Sequence, residues 1–138
     1  MSCILRISGE DLDADAFKEQ SGISLYSVFR KGEPKYKSKP ESLKLNSSGC
    51  MIEVSNANFN EFNQQVADAI LYLKTNRLSL TYISQTNEVE HAFLDFGVNF
   101  NPTNDFVQSQ YFPLELIMLA ADLGIGINLS MYQPSEEE

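Results

Sequence analysis

The chain has 138 residues, of which 43% are hydrophobic, and its 19 acidic and 10 basic side chains give a formal net charge of −9. This length suits one ordinary domain, and the apolar share is too high for a disordered chain. The negative charge argues against nucleic acid and anionic membranes as partners, because binding to either requires an excess of Lys and Arg.

The N-terminal segment lacks the features of an export signal. Arg6 and Glu10 interrupt it before an apolar stretch can form, and no apolar run elsewhere approaches the roughly 20 residues of a membrane span. We therefore expect a cytoplasmic protein with a single globular domain at residues 1–133. The remaining residues, 134–138, end in a run of glutamates and should form a disordered acidic tail.

Apolar alternation and turn residues divide the first half of the chain into short elements. Cys3, Leu5 and Ile7 alternate with their neighbours as in a strand, and three carboxylates at every second position from Asp11 are typical of a helix start. Gly22 suits the end of that helix. The predicted elements are a strand at residues 3–8, a helix at 13–20, a strand at 24–30, a polar loop reaching residue 49, and a strand at 50–55 that pairs antiparallel with the strand before it.

The second half begins with the longest predicted helix. Asn58 and Glu61 form a capping-box pattern, and apolar residues then recur at every third or fourth position. Further along, Pro113 suits the first position of the last helix and Gly124 its end. The predicted elements are a helix from the capping box to residue 76, a short helical extension at 77–84 for which a strand is the alternative, a strand at 90–100, a helix at 113–123 and a strand at 125–132.

This element order, βαββαβαβ, predicts an α+β fold. We expect a two-layer sandwich in which the helices pack on one face of a largely antiparallel sheet of about five strands. A ferredoxin-like split βαβ core is the alternative in detail. The last strand is an edge that can pair with a second copy, so a monomer and a homodimer both remain open.

One acidic segment resembles a calcium site but does not satisfy its pattern. Asp11, Asp13 and Asp15 have the spacing that opens an EF-hand loop. Ala16 then stands where the loop needs a glycine for its sharp turn, and Gly22 stands where it needs a bidentate glutamate. We therefore interpret these carboxylates as helix-capping residues rather than metal ligands.

Other signs of catalysis or cofactor binding are weak. His91 is the one histidine, which limits metal binding and acid–base chemistry. The chain has no Cys-x-x-Cys motif, no P-loop, no dinucleotide-binding glycine motif and no nucleophile elbow. Cys3 and Cys50 fall in apolar strand patterns, which predicts reduced thiols in the core. We expect no cofactor and no metal, and we favour a protein that is not an enzyme.

Basic charge is concentrated in one segment. Six of the ten basic residues fall between residues 30 and 44, and the rest of the chain has seventeen carboxylates against four basic side chains. We call residues 30–44 the basic segment; a solvated loop and a binding surface are both open interpretations of it. The candidate binding residues are Arg30, Lys31, Glu33, Lys35, Tyr36, Lys37, Lys39 and Asp95.

Two of these candidates have a specific expected chemistry. Tyr36 could stack on a ligand held by the lysines around it. Asp95, in the predicted strand at 90–100, could form a structural ion pair with Arg6 or Arg30, or could act as a general acid.

Four segments carry a resemblance to a known family. They are Ser-Cys-Ile-Leu-Arg-Ile-Ser-Gly-Glu-Asp at residues 2–11, Val-Phe-Arg-Lys-Gly-Glu-Pro at 28–34, Leu-Asp-Phe-Gly-Val at 94–98, and Tyr-Phe-Pro followed by Leu-Glu-Leu at 111–116. Together they are similar to the bacterial domain-of-unknown-function family 4279, an uncharacterised family of similar length. The resemblance implies a bacterial, single-domain, cytosolic protein, and it brings no catalytic residues to carry over.

Two hypotheses of function follow from the charges. The first is a non-catalytic protein-binding module, for example an immunity or antitoxin-like protein, because an acidic body speeds the capture of a basic protein partner. The alternative is an enzyme or sensor that holds a small anionic ligand near the basic segment, with Asp95 or Glu33 as general acid or base. The alternative predicts a concave pocket beside the basic segment that contains a carboxylate with a strongly shifted pKa.

Overall fold

The computed structural model describes residues 1–100 and 107–133. The strands are β1 Cys3–Gly9, β2 Ser27–Phe29, β3 Pro34–Tyr36, β4 Lys39–Lys44, β5 Ser48–Ser55, β6 His91–Asn99 and β7 Gly126–Tyr132. The helices are α1 Ala14–Ser21, α2 Phe62–Thr75, α3 Arg77–Leu80, α4 Tyr82–Gln85 and α5 Leu114–Asp122. The predicted acidic tail, 134–138, lies outside the described residues, as do residues 101–106.

Among the described residues, five strands form one sheet in the order β2-β5-β1-β6-β7, and β3 pairs with β4 in a separate hairpin. β1 is central and antiparallel to both β5 and β6, whereas β7 runs parallel to β6. α1 connects β1 to β2 across the intervening β5, and α2 with α3 and α4 connects β5 to β6 across β1. These interleaved crossovers form a split βαβ core. The predicted α+β fold is therefore confirmed, and its strand arrangement is that of the ferredoxin-like alternative.

The core lies between the sheet and the helices. Cys3, Leu5 and Ile7 have no exposed surface, whereas the residues between them are only half-buried, so β1 buries its helix-facing side most completely. Phe62 at the start of α2 packs edge-to-face against Phe96 of β6, with ring centroids 5.7 Å apart. Each fully buried side chain of this size contributes about 1.5–3 kcal/mol, so this layer supplies most of the stability.

The predicted capping of α1 is confirmed at Asp13 and at Gly22. The Asp13 carboxylate accepts a hydrogen bond from the Ala16 N–H at 3.0 Å. At the other end Gly22 has a φ of 70°, and its N–H donates to the Lys18 carbonyl at 3.0 Å. A left-handed residue at this position costs a glycine little, because it has no Cβ.

The predicted start of α2 is wrong by about one turn. The Asn58 N–H donates to the Glu61 side chain at 3.0 Å, as in half of a capping box, but residues 58–61 form a turn and the helix begins at Phe62. Phe59 therefore leaves the apolar stripe of the helix. Its ring instead packs edge-on against Tyr132 of β7, at 5.6 Å between centroids.

The prediction that the basic segment is largely a loop is also wrong. Residues 34–44 form the β3–β4 hairpin, and reciprocal bonds at its base join the Gly32 N–H to the Leu45 carbonyl and the Leu45 N–H to the Glu33 carbonyl. The side chains of the hairpin are mostly exposed, because neither of its faces packs on the core. The apolar alternation that reveals a half-buried strand is therefore missing from this part of the sequence.

The predicted helical extension at 77–84 is confirmed over its strand alternative, since α3 and α4 occupy this segment. α3 and α4 follow α2 after Asn76 and bury Leu80 and Ile83. Within the described ranges, no helix is long and apolar enough to cross a membrane.

Both cysteines are free and have no exposed surface, as predicted. Burial raises the pKa of the Cys3 thiol far above its ordinary value, and it raises that of Cys50 from 9.0 to about 11. In the unfolded chain these thiols lose their protons first as the pH rises. Stability is therefore lost with rising pH above the ordinary thiol pKa.

We predict that the free energy of unfolding falls between pH 9 and pH 11, the interval bounded by the two pKa values of Cys50. A single proton coupled to folding gives a slope of about 1.4 kcal/mol per pH unit. Denaturant titrations of the wild type and of Cys50→Ala across this interval distinguish the effect of Cys50 ionisation on stability from the effects of tyrosine and lysine ionisation. The variant should lose stability less steeply; equal slopes would mean that Cys50 ionises as readily in the folded protein as in the unfolded chain.

Candidate functional site

The root of the basic segment is fastened to acidic side chains of neighbouring elements. Arg30 donates from Nε and Nη2 to the two carboxylate oxygens of Asp15, at 3.0 and 2.8 Å. This pairing lowers the pKa of Asp15 and raises that of Arg30. Lys31 Nζ lies 3.4 Å from a Glu10 oxygen, and the Glu33 side chain accepts the Arg30 N–H at 2.6 Å. Arg30 and Lys31 therefore hold the hairpin against the body of the protein, and Glu33 stabilises the turn at the root of the hairpin.

The other candidates of the basic segment are exposed near the tip of the hairpin. Lys35 Nζ lies 5.8 Å from the centroid of the Tyr36 ring, which is a weak cation–π contact at an exposed site. Lys37 lies in the turn between β3 and β4, and Lys39 is the first residue of β4. Five hollows among the described residues have defined linings, and the basic segment contributes to none of these five.

Asp95 lies far from the basic segment. Arg30 directly follows β2 at one edge of the sheet, and Phe29 of β2 shares its row across the sheet with His91 of β6. Asp95 is four residues further along β6. Three strand spacings and four residues of strand separate Asp95 from Arg30 by on the order of 20 Å.

Asp95 instead forms the centre of a polar network on the sheet face opposite the helices. Its Oδ2 lies 3.5 Å from Arg6 Nε, as one of the two predicted pairings requires. Its Oδ1 accepts hydrogen bonds from Asn128 Nδ2 at 2.9 Å and from Ser130 Oγ at 2.7 Å. Arg6 also points Nη1 at the sulfur of Met51, at 3.0 Å. The network fixes the Arg6 guanidinium near the middle of this face. Holding this network together is a sufficient role for the Asp95 carboxylate, without a role in catalysis.

A different surface concentrates charge. Asp11, Asp13 and Glu88 line a hollow of about 220 Å³, whose apolar walls come from Leu12 and Phe17. No basic side chain is among its lining residues. We call this surface, together with Glu10 and Glu90 beside it, the acidic end.

Two distant turns build the acidic end. The Glu90 N–H donates to the Ser8 carbonyl at 2.9 Å, and the Glu10 N–H donates to the Glu90 carboxylate. The turn after β1 thereby lies against residues 86–90. Gly9 is required for this contact, because a Cβ there would lie 1.9 Å from the Glu88 carbonyl oxygen.

The sequence offered little sign of this cluster. Asp11 and Asp13 are interpreted above only as capping residues, and Glu88 and Glu90 stand alone in a polar turn. Their proximity depends on the antiparallel pairing of Ser8 with His91, which no local pattern reveals. Within residues 1–100 and 107–133, no three His, Cys, Asp or Glu side chains converge closely enough to hold a metal ion.

Comparison with known proteins confirms the resemblance noted in the sequence. A family model described as "Domain of unknown function (DUF4279)" matches residues 1–134. No curated protein and no solved structure matches the chain. The family description carries no activity, so the function has to be inferred from the surfaces described above.

The network around Asp95 generates a prediction about stability. Asp95→Ala leaves Arg6 without its carboxylate and leaves Asn128 and Ser130 without their shared acceptor. We expect the free energy of unfolding to fall by about 1–3 kcal/mol in a denaturant titration. Glu53→Ala is the control, because it removes an exposed carboxylate of the same sheet; its effect should stay within about 0.5 kcal/mol. Equal losses in the two variants would contradict a structural role for the network.

Proposed function

The chain belongs to a family of domains of unknown function, and we propose that it is a non-catalytic module whose acidic end binds a basic protein. One observation carries the proposal: five carboxylates from two turns, Glu10, Asp11, Asp13, Glu88 and Glu90, meet at one end of the molecule, and among the described residues only Glu10 of the five has a basic partner, Lys31. Complementary charge of this kind speeds encounter with a cationic partner and selects against acidic ones.

The distribution of basic residues supports the same proposal. Arg30 and Lys31 are paired with Asp15 and Glu10, and the remaining lysines of the basic segment extend along the hairpin. The formal charge of −9 therefore leaves an excess of carboxylates on the rest of the surface. A summed field of one sign acts at longer range than isolated surface ion pairs.

The hollow also suits the shape of a basic side chain. Arg and Lys combine a charged head with an apolar stem, and they favour surfaces that match both parts. Asp11 and Glu88 supply negative charge at the rim, while Leu12 and Phe17 supply apolar wall. We infer that one Arg or Lys of the partner enters this hollow and that its neighbours pair with the surrounding carboxylates.

The hypothesis of an anionic ligand has less support. Asp95 lies on the order of 20 Å from Arg30, in the network with Arg6. Glu33 does lie beside Arg30, but its carboxylate already accepts the Arg30 N–H, and Arg30 itself is paired with Asp15. Among the described residues, the carboxylate with a lowered pKa is Asp15, an exposed partner of Arg30 rather than a group in a pocket.

An immunity or antitoxin-like protein is one concrete form of the proposal. Such a protein would neutralise a basic toxin, for example a nuclease, by forming a stable complex with it. The proposal includes a bacterial, cytoplasmic setting, as expected from the sequence.

We predict that the wild type captures a basic protein from a bacterial lysate at low salt and releases it at high salt, because salt screens interactions between exposed charges. Asp11→Lys with Glu88→Lys should weaken the dissociation constant of the captured protein at least about tenfold, since two attractive charges become repulsive. Affinity purification with mass spectrometry identifies the partner, and titration calorimetry measures the constant.

The matched control is Glu41→Lys with Glu53→Lys. It has the same net charge as the test variant, but its exposed substitutions lie on β4 and β5, away from the acidic end. The control should keep the affinity within about threefold, which corresponds to a long-range charge effect alone. Equal losses in both double variants would show that net charge, not the acidic end, determines binding, and retention of a small anion without a protein would favour the alternative.

A further inference from the structure

β7 presents an unpaired backbone edge. The Tyr132 carbonyl accepts from the Phe100 N–H at 2.8 Å, so the backbone groups of Tyr132 point toward β6. Because these groups alternate along a strand, those of Ile127, Leu129 and Met131 point away from β6. In the part of the chain that the structure describes, no strand pairs with this side of β7.

This edge is complementary to a copy of itself. In an antiparallel pair with a two-fold axis at Leu129, Leu129 faces its own copy and Ile127 faces the copy's Met131. All three are residues whose N–H and C=O groups point outward, so each outward donor meets an outward acceptor. Such an isologous contact closes on itself as a dimer, because it uses the β7 edge of both copies.

The charged side chains of α5, the helix beside this edge, are already paired with neighbouring helices. Glu115 and Asp122 are its two charged residues, and they pair with Lys74 of α2 and Arg77 of α3, at 2.5 and 2.7 Å. These ion pairs orient α5, because the side of the helix that carries them faces α2 and α3.

The opposite side of α5 is apolar although it is exposed. Leu114, Ile117 and Ala121 follow the i, i+3, i+7 spacing of one helical stripe. Leu114 is 64% exposed and Ile117 43% exposed. Near the start of this stripe, Met131 of β7 is also 58% exposed on the helix-facing side of the sheet. A stripe of this kind is typical of a helix that packs against another surface.

Edge pairing would bring two such stripes to packing distance. α5 connects the parallel strands β6 and β7, and the helix of such a crossover packs back over the strands that it connects. Two α5 helices related by the axis at β7 would then lie two strand spacings apart, about 10 Å, which agrees with the 8–10 Å between packed helices.

The absence of charge on the β7 edge and the α5 stripe favours a second copy of the chain as the binding partner there. β7 contains no acidic or basic residue, and neither does the stripe of Leu114, Ile117 and Ala121. A strongly acidic protein can therefore meet its own copy here without placing carboxylates against each other. A basic partner, by contrast, would gain nothing from this surface and is matched by the acidic end instead.

We propose that the protein forms a two-fold homodimer in which the β7 strands pair antiparallel and the apolar stripes of α5 pack against each other. The two five-stranded sheets become one continuous sheet. The acidic ends lie away from this contact, so each copy keeps its own binding surface. The dimer is independent of the proposed function, and either can fail without the other.

Sedimentation equilibrium from micromolar to near-millimolar concentration tests the dimer. We expect the wild type to reach twice the chain mass of 15.5 kDa. Leu114→Lys with Ile117→Lys should raise the dimer dissociation constant at least about tenfold, because each ammonium group would lose its water in the contact. The matched control is Leu71→Lys with Leu78→Lys, which changes two leucines that are 65% and 86% exposed on α2 and α3; it should dimerise as the wild type does.

Hydrogen exchange of the wild type at high and low concentration identifies the edge that pairs. The amides of Ile127, Leu129 and Met131 should be slowed at least tenfold in the dimer and should exchange freely in the Leu114→Lys, Ile117→Lys variant. A wild type that stays monomeric, a dimer that survives this variant, or a dimer in which these three amides are not slowed overturns the proposal. Loss of the dimer in both double variants overturns it as well.

Discussion

The position of β1 between β5 and β6 is the constraint on which the rest of the structure depends. Cys3, Leu5 and Ile7 bury one side of this strand completely, and the buried set specifies the register on both flanks, because a slip of one residue would expose it. The ladder on the β6 side aligns Ser8 with His91 and thereby joins the two turns of the acidic end. The same ladder brings Arg6 of β1 beside Asp95 of β6 on the open face. One register therefore positions both the charged surface and the polar network.

Acidic and basic side chains are concentrated in different parts of this framework instead of forming ion pairs throughout the surface. The cations at the root of the hairpin are matched by Asp15 and Glu10, while the carboxylates around the hollow face solvent. Exposed pairs such as Arg30–Asp15 contribute little stability, so they serve mainly to hold the hairpin in place. The unmatched carboxylates gain most from an external cation. This division is the physical reason to assign recognition to the acidic end and a structural role to Arg30 and Asp95.

Elements that bury one face could be predicted from the sequence, and elements that bury neither could not. β1, β6 and β7 alternate in a way that follows directly from their half-buried faces, and Asp13 and Gly22 mark the ends of α1 by chemistry that acts within four residues. The β3–β4 hairpin contacts no core and therefore has no such pattern. The acidic end escapes local analysis for another reason, because Asp11 and Glu88 are neighbours only through sheet register. Asn128 was missed for the same reason, since its bond to Asp95 depends on the parallel pairing of β6 with β7.

The most direct test of the central claim is an NMR titration of the isotopically labelled protein with a short arginine-rich peptide at low salt. If the acidic end binds basic partners, the amide shifts cluster at residues 10–13 and 86–90, and high salt reverses them. Shifts that cluster on the basic hairpin or on the open sheet face, or shifts that salt does not reverse, would contradict the account.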